Sequence, residues 1–386
     1  MADIAFIIPT LSGGGAERVI TTLANSIGED VDVIVFHRVE NEYPCTQNII
    51  DLAIPGAASI PGKLRNLAIR SSKIYLLKKR HKYKKIISFL DNPNLVNVLT
   101  KKKGQQTILS IRNFQSKEFS GTKKSLHKFV VKYFYNMADA IVVTSEGVRQ
   151  DMIGNFGIAH SKVKVIYNPI DQELISSLSG KRAVSSAGEK NEIKLITVGR
   201  LVEQKAHAAL LHALAKYKER NAALSLSLTI IGEGAEKENL VKLAKQLGLE
   251  DNIKFLPFQK NPFQFLVQAD IFVLSSKFEG FPNAMVEAIA CGLPVISSDC
   301  EAGPREILAP EISLDKTMAY PYSNNNGILI SVPSDGNNEG FDEDFCKAME
   351  IIAHRKNFSI EDQGVSRKLL LNRFHKREIA KMWMNL

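Results

Sequence analysis

Cysteine is scarce in this chain of 386 residues. The four, Cys45, Cys291, Cys300 and Cys346, form no C-x-x-C pair and have no histidine cluster beside them, so neither a disulfide framework nor a zinc site organises the fold. Long apolar runs are missing too. The first one, Ile4 to Ile8, is followed at once by Pro9 and falls far below the roughly 18 residues that a spanning helix needs, and no basic segment precedes it as in a secretory signal. A reducing, cytoplasmic compartment is therefore expected, with the protein either free or peripheral on the inner face of the cytoplasmic membrane. Neither G-x-G-x-x-G nor a Walker A sequence occurs, which counts against a dinucleotide or P-loop ATP site. No D-x-D is placed where a divalent ion would be held, so no metal and no cofactor is expected.

Acid is what the first half lacks. Residues 1–170 carry 24 Lys/Arg against 13 Asp/Glu, a net of +11, while the rest of the chain has 26 against 28, a net of −2. Lys63 to Lys85 alone holds ten Lys/Arg and no acid, interleaved with Leu64, Leu67, Ile69, Ile74, Leu76 and Leu77. Such a stretch reads as a basic amphipathic helix for an anionic membrane surface or a phosphorylated acceptor, or as a solvated lysine-rich helix with one core face. No nucleic-acid-binding module accompanies the charge, so nucleic acid is not an expected partner.

A chain of this length exceeds what one hydrophobic core usually supports. Apolar, β-branched runs alternate with helical periodicity from end to end, the pattern of parallel sheets covered by helices on both faces. Strands are predicted near 4–8, 31–36, 85–90, 107–111, 140–143 and 163–166, and again near 193–198, 226–231, 253–256, 271–274, 293–297 and 327–330. Helices are predicted at 16–27, 122–136, 342–354 and 359–385. Two α/β domains of doubly wound, Rossmann-like type follow, at 1–168 and 169–370. A linker is expected from Asn168-Pro169 to Ser179-Gly180, because proline, glycine and serine break both periodicities. A terminal helix over 371–386, with Ile379, Met382 and Leu386 on its apolar side, could cross back to the first domain.

Several turns could carry chemistry. After the first strand, Gly13-Gly14-Gly15-Ala16-Glu17-Arg18 opens a helix, where backbone lacking Cβ can approach a phosphate and free N–H groups carry partial positive charge. A tight βα turn would look the same. In the second half, Gly199-Arg200-Leu201 is followed by Lys205, and a diphosphate needs such fixed cations both to bind and to take up charge as its bond breaks. Ile230-Ile231-Gly232-Glu233-Gly234 is another strand running into a glycine turn. The most informative segment is Ser276 to Ala288. There Pro282 suits a first helical position, Glu279 would lie in the loop, Glu287 would lie on the helix, and the amides of Asn283 and Ala284 would point at the crevice outside the strand ends. Two carboxylates so placed suit hydroxyl recognition on a hexose and on a ribose. A capping Glu279 and a solvent-facing Glu287 are the plainer alternative.

Gly199-Arg200-Leu201 with Lys205, the E-x7-E pair Glu279 and Glu287, and Cys291-Gly292-Leu293-Pro294-Val295 together resemble the family 4 retaining glycosyltransferases. Gly14-Gly15-Ala16-Glu17-Arg18, Asn168-Pro169 and Asn326-Gly327-Ile328-Leu329 extend the resemblance over nearly the whole chain. It is nearest in kind to bacterial enzymes of lipid-linked glycan, lipopolysaccharide or capsule synthesis. The resemblance implies a GT-B fold, two Rossmann-like domains facing across a cleft. It also implies retaining transfer of a hexose or N-acetylhexosamine from a nucleotide sugar, UDP-linked in most such relatives, to a glycan acceptor. Arg200 and Lys205 would hold the donor diphosphate, Glu279 would contact the transferred sugar and Glu287 the ribose. Phe281, Pro282, Asn283 and Ala284 would border sugar or phosphates, and Gly14 and Gly15 would close from the first domain. The chain departs from the family at Ala206, where glycine is common, and at Ser110-Ile111-Arg112-Asn113, where many members place a histidine. Asp91 and Arg112 are the acceptor-side candidates. A glycoside hydrolase, which also uses two carboxylates, gives Arg200 and Lys205 no task. A sugar-nucleotide epimerase and a catalytically silent sugar-nucleotide binder stay open as alternatives.

Overall fold

The computed structural model describes residues 2–28, 31–118, 121–180, 192–354 and 360–386. The chain divides into two compact units, Met1–Ile170 with Phe374–Leu386, and Asp171–Arg373.

The first unit is built on strands β1 (Ile4–Ile8), β2 (Val31–Val35), β3 (Asn48–Asp51), β4 (Lys85–Phe89), β5 (Gln106–Ile111), β6 (Ala140–Val143) and β7 (Val163–Val165). They form one parallel sheet in the order β3-β2-β1-β4-β5-β6-β7. The five residues of β1 are all buried, as expected of a strand with helices over both faces. The second unit repeats the plan with β8 (Glu192–Val198), β9 (Ser225–Ile231), β10 (Ile253–Leu256), β11 (Ile271–Leu274), β12 (Val295–Ser298), β13 (Tyr322–Ser323) and β14 (Ile328–Ile330), in the order β10-β9-β8-β11-β12-β14-β13. At its edge β13 pairs antiparallel with β14. In each sheet the winding reverses beside the first strand, between β1 and β4 and between β8 and β11. The loops leaving those strands diverge and leave a crevice at their carboxyl ends.

The twelve strands read from the sequence are all present, and β3 and β13 are additional. β3 is largely exposed and β13 has two residues, so neither presents an apolar run. The stretch read as a linker instead contains a helix, Gln172–Ser179, because Asp171 caps it by accepting from the Leu174 amide at 3.0 Å and Gly180 ends it at φ 71°. The helix predicted at 359–385 is two, Ile360–Asn372 and Lys376–Met384; position 359 lies outside the described residues. Between them the Ile170 amide donates to Phe374 O and the Lys376 amide to Ile170 O. The last helix buries Ile379, Ala380 and Trp383 against Phe6, Phe89 and their neighbours, while Met382 stays exposed. Residues 379 and 383 are one turn apart, which puts Trp383 rather than Met382 on the core side.

The basic stretch is not one solvated helix. Its helix spans Ile60–His81, and Lys85 belongs to β4, where its ammonium donates to Met384 O at 2.7 Å. Lys78 is fully buried and donates to Asn97 O (3.0 Å), Asn97 Oδ1 (2.8 Å) and Thr100 O (3.3 Å), capping the C-terminal end of the helix Asp91–Leu99. Burial pushes its amine down to about 7 from an ordinary value near 10.5. The unfolded chain then binds one proton more than the folded chain across that window, so Lys78 makes stability rise with pH from about 7 to about 10, by up to about 1.4 kcal/mol per pH unit. Urea denaturation of the wild type and of Lys78→Met across this range checks it: the slope should be smaller in the variant.

Candidate functional site

The strand end after β8 is fixed by a neighbouring turn. The Gly199 amide donates to Ile231 O at 3.0 Å, Leu201 N to Glu233 O at 2.8 Å, and Glu236 N to Leu201 O at 2.9 Å. A Cβ on Gly232 would stand 1.9 Å from Gly199 O, and one on Gly234 would stand 2.2 Å from Leu201 O. Both glycines are therefore required by backbone packing in this turn. Arg200 points outward from this frame, with Nη2 3.4 Å from Gln204 Oε1.

Next comes a short 3₁₀ turn, Glu203–Lys205, stitched to the loop after β11. Lys277 N donates to Gln204 O, Gln204 Nε2 to Phe278 O and Ser275 Oγ to Lys205 O, each at 2.8 Å. Ser298 Oγ at the end of β12 donates to Ser276 O at 2.6 Å and anchors the same loop from its other side. Within this seam Lys205 Nζ lies 2.5 Å from Glu279 Oε1, which also accepts from Ser276 Oγ at 2.6 Å. Glu279 is buried, so its charge is held by a hydrogen-bonded partner rather than by water. Ala206, where the family commonly has glycine, lies outside the flanking helices. It joins the 3₁₀ turn to the helix His207–Arg220 at φ 48°, ψ 38°, a left-handed conformation that glycine adopts without steric penalty.

The sequence did not single out two groups behind this seam. His207 is buried, and burial together with the Lys205 charge pushes its imidazole down to about 4, so it stays neutral. Cys300 is buried as well; burial first, and then the Glu279 charge, hold its thiol well above the usual range. His207 lies in no spaced motif, so the sequence offers no signal for it.

The helix carrying the second carboxylate is Asn283–Ala290, with Pro282 at the N-cap rather than at the first helical position. Gly303, at φ 96°, lets Pro282 pack closely: a Cβ there would stand 2.5 Å from Pro282 Cδ. The Asn283 amide donates to Phe281 O at 3.0 Å, so it is engaged in the turn rather than aimed into the crevice. Asn283 and Ala284 are partly exposed at this helix start, and Phe281 is buried. Glu287 is buried, not solvent-facing; burial and then its charge push the Cys291 thiol up to about 12. Behind this helix Asp299 binds Arg305 and Tyr320, while Arg305 Nη1 donates to Ser313 O and Lys316 O, which fixes the loop that follows.

In the first unit, Gly14 is the N-cap and Gly15 the first residue of the helix Gly15–Ser26 after β1. Glu17 folds back against Gly14, where an added Cβ would lie 2.6 Å from its Oε2. Arg112, after β5, is buried with Nη2 2.5 Å from Asn168 Oδ1; burial pushes its guanidinium down to about 9, opposed by Glu17. Asp91 accepts from Tyr135 Oη at 3.1 Å and Gln115 Nε2 at 3.3 Å, so its carboxylate holds a buried tyrosine. His127 bonds the other end of Gln115, a histidine brought beside this cluster by a helix far along the sequence. Thus Arg200, Lys205, Glu279, Phe281, Pro282, Asn283, Ala284 and Glu287 belong to the second unit, and Gly14, Gly15, Asp91 and Arg112 to the first.

The family model described as Glycosyl transferases group 1 matches residues 181–335, and that of Glycosyltransferase Family 4 matches residues 13–174. A Campylobacter jejuni protein, N-acetylgalactosamine-N,N'-diacetylbacillosaminyl-diphospho-undecaprenol 4-alpha-N-acetylgalactosaminyltransferase, is 31% identical over 330 residues, covering 81% of this chain and 84% of that one. This chain is a family 4 glycosyltransferase. Its other relatives include the Escherichia coli K12 lipopolysaccharide 1,6-galactosyltransferase, 34% identical over 195 residues, 48% of this chain and 50% of that protein. The glycosyltransferase also shares its fold with Anabaena HepE, solved with UDP and glucose, at a TM-score of 0.73 and 18% identity over 100% of this chain and 99% of that one. The architecture is GT-B.

The ion pair makes a quantitative demand on this glycosyltransferase. Lys205→Met leaves the Glu279 carboxylate buried without its cation and should cost about 3–5 kcal/mol of stability. Adding Glu279→Gln should recover most of that loss, because no buried charge then remains, as a double-mutant cycle in urea would read.

Proposed function

We propose that the chain is a retaining glycosyltransferase that moves a hexose or N-acetylhexosamine from a UDP-sugar to a lipid-linked or lipopolysaccharide- or capsule-type glycan. The observation that carries the donor reading is the pair of partly buried Lys205 and buried Glu279 beside the outward-pointing Arg200, at the carboxyl ends of β8 and β11 where the winding reverses. An ammonium has three donors and one is spent on Glu279, which leaves two for a diphosphate oxygen. Arg200 adds a forked cation on the same side, suited to phosphate. Glu287, on the helix after the Glu279 loop, takes the ribose hydroxyls, and Phe281, Pro282, Asn283 and Ala284 border the donor. The names of the two relatives, with diphospho-undecaprenol and lipopolysaccharide acceptors, support the acceptor class, and UDP in the HepE structure supports the base.

In the proposed step the C1–O bond to UDP breaks as the acceptor oxygen bonds to C1 on the same face, and the acceptor proton passes to the departing phosphate oxygen. Charge grows on the β-phosphate, and Arg200 and Lys205 meet it in place, so catalysis is positioning and charge compensation. Glu279 Oε1 already accepts from an ammonium and a hydroxyl, which makes it a weak nucleophile and favours a role in holding the sugar and Lys205. In the first unit, Gly14 and Gly15 at the helix start are the candidates for a phosphate, and Arg112 with Asp91 meets the acceptor. Association with an anionic membrane surface suits an acceptor of this kind.

Arg200 is the cleaner probe, because Lys205 also supports the fold. Arg200→Ala should lower kcat about 10²–10³-fold while UDP affinity falls less than tenfold. Equal losses in both would remove the leaving-group role. Sugar transfer with retained anomeric configuration, read by NMR of the product, separates this reading from an epimerase and from a silent binder.

A further inference from the structure

The helix Gly121–Phe134 and the short turn Tyr135–Met137 that follows it carry four lysines and no Asp or Glu. Three large apolar side chains stand in solvent along one side at spacings of three and four: Leu126 at 67% exposure, Phe129 at 54% and Tyr133 at 57%, with Met137 at 51% continuing the row. The Phe129 and Tyr133 rings lie 4.5 Å apart, so the row is a continuous apolar ridge rather than scattered contacts. Beside it runs a basic row one helical turn apart, the exposed Lys124, Lys128 and Lys132, and Lys132 Nζ lies 6.0 Å from the Tyr133 ring centre. The helix already has its own core face, since Val131 is buried and Val130 and Phe134 are partly so. The exposed ridge is therefore not the side that the fold needs. By contrast, the helix Ile60–His81 turns Asn66, Arg70 and Lys78 inward, and its exposed Ile60, Leu64, Ile69, Tyr75 and Leu76 share no single row.

An apolar ridge flanked by flexible cations, without an acid among them, matches a bilayer interface: the rings and Leu126 enter the boundary between headgroups and acyl chains, and the lysines reach anionic headgroups. We infer that the face formed by Leu126, Phe129, Tyr133 and Met137 with Lys124, Lys128 and Lys132 docks this protein on an anionic membrane. The inference stands on this helix and does not depend on the donor site; it deepens the proposed membrane-linked acceptor by naming the surface.

Sedimentation of the full chain with vesicles of phosphatidylcholine containing about one-third phosphatidylglycerol tests it, with pure phosphatidylcholine as the comparison. The wild type should partition at least about tenfold more strongly onto the anionic vesicles and be released by high salt. Leu126→Ser/Phe129→Ser/Tyr133→Ser should lose about tenfold or more of that partitioning, as should Lys124→Gln/Lys128→Gln/Lys132→Gln. Lys63→Gln/Lys79→Gln should lose less. All variants should keep the wild-type melting temperature and its rise with UDP, which separates loss of docking from loss of fold or of the donor site. Unchanged sedimentation of the apolar variant, or equal binding of the wild type to uncharged vesicles, would overturn the inference. So would self-association in vesicle-free solution that the apolar variant abolishes, since a second copy would then be the occupant.

Discussion

One ion pair sets the geometry on which the candidate donor site depends. Lys205 and Glu279 come from loops after different strands, and their 2.5 Å contact is placed by backbone bonds from Lys277 to Gln204 and from Ser275 to Lys205. A buried carboxylate left alone would cost several kcal/mol, so each loop constrains the other. The constraint spreads outward: Ser298 ties the Glu279 loop to β12, and Gly232 and Gly234 let a second turn press against the strand end that carries Arg200. The Lys205 charge is thus fixed before any ligand arrives, which is what electrostatic compensation of a leaving group requires.

Much of this was legible because the fold is written in apolar runs. Twelve strands announced themselves as apolar, β-branched runs, and β1, β2, β6, β11 and β12 are indeed buried along their whole length, as parallel strands covered on both faces are. β3 and β13 were silent because β3 has only Ile49 and Ile50 between polar ends and β13 has two residues, so neither presents an apolar run. At the site, residue types and spacing picked out Arg200, Lys205, Glu279 and Glu287, since cations after one strand and carboxylates after another have few structural uses together. The sequence could not show that Lys205 and Glu279 touch, because 74 residues separate them. Nor could it show that Gly232 and Gly234 serve backbone contact, that Ala206 sits in a left-handed turn, or that His207 and Cys300 are buried behind the pair.

The first unit shows how differently the same charge can be used. Lys78 and Lys85 belong to a strongly basic stretch, yet both donate to backbone oxygens and brace the fold. Lys124, Lys128 and Lys132 stand exposed, as do the rings of Phe129 and Tyr133 on the same helix. Composition alone counts all five alike; only burial divides the structural cations from those available to a partner. Asp91 and Arg112 are likewise tied into internal bonds, to Tyr135 and Asn168, so any part they take with an acceptor is played by groups already oriented.

The central claim is that residues 199–294 bind a nucleotide diphosphate sugar, with Glu287 on its ribose. A thermal-shift screen of the purified protein against UDP, GDP, ADP and their common sugar conjugates, repeated with Glu287→Ala, tests it most directly, because a ligand that binds only the folded state raises the midpoint. Selective stabilisation by UDP and its sugars, lost in the variant, is the predicted result. No shift with any nucleotide, or a shift that Glu287→Ala leaves intact, would contradict it.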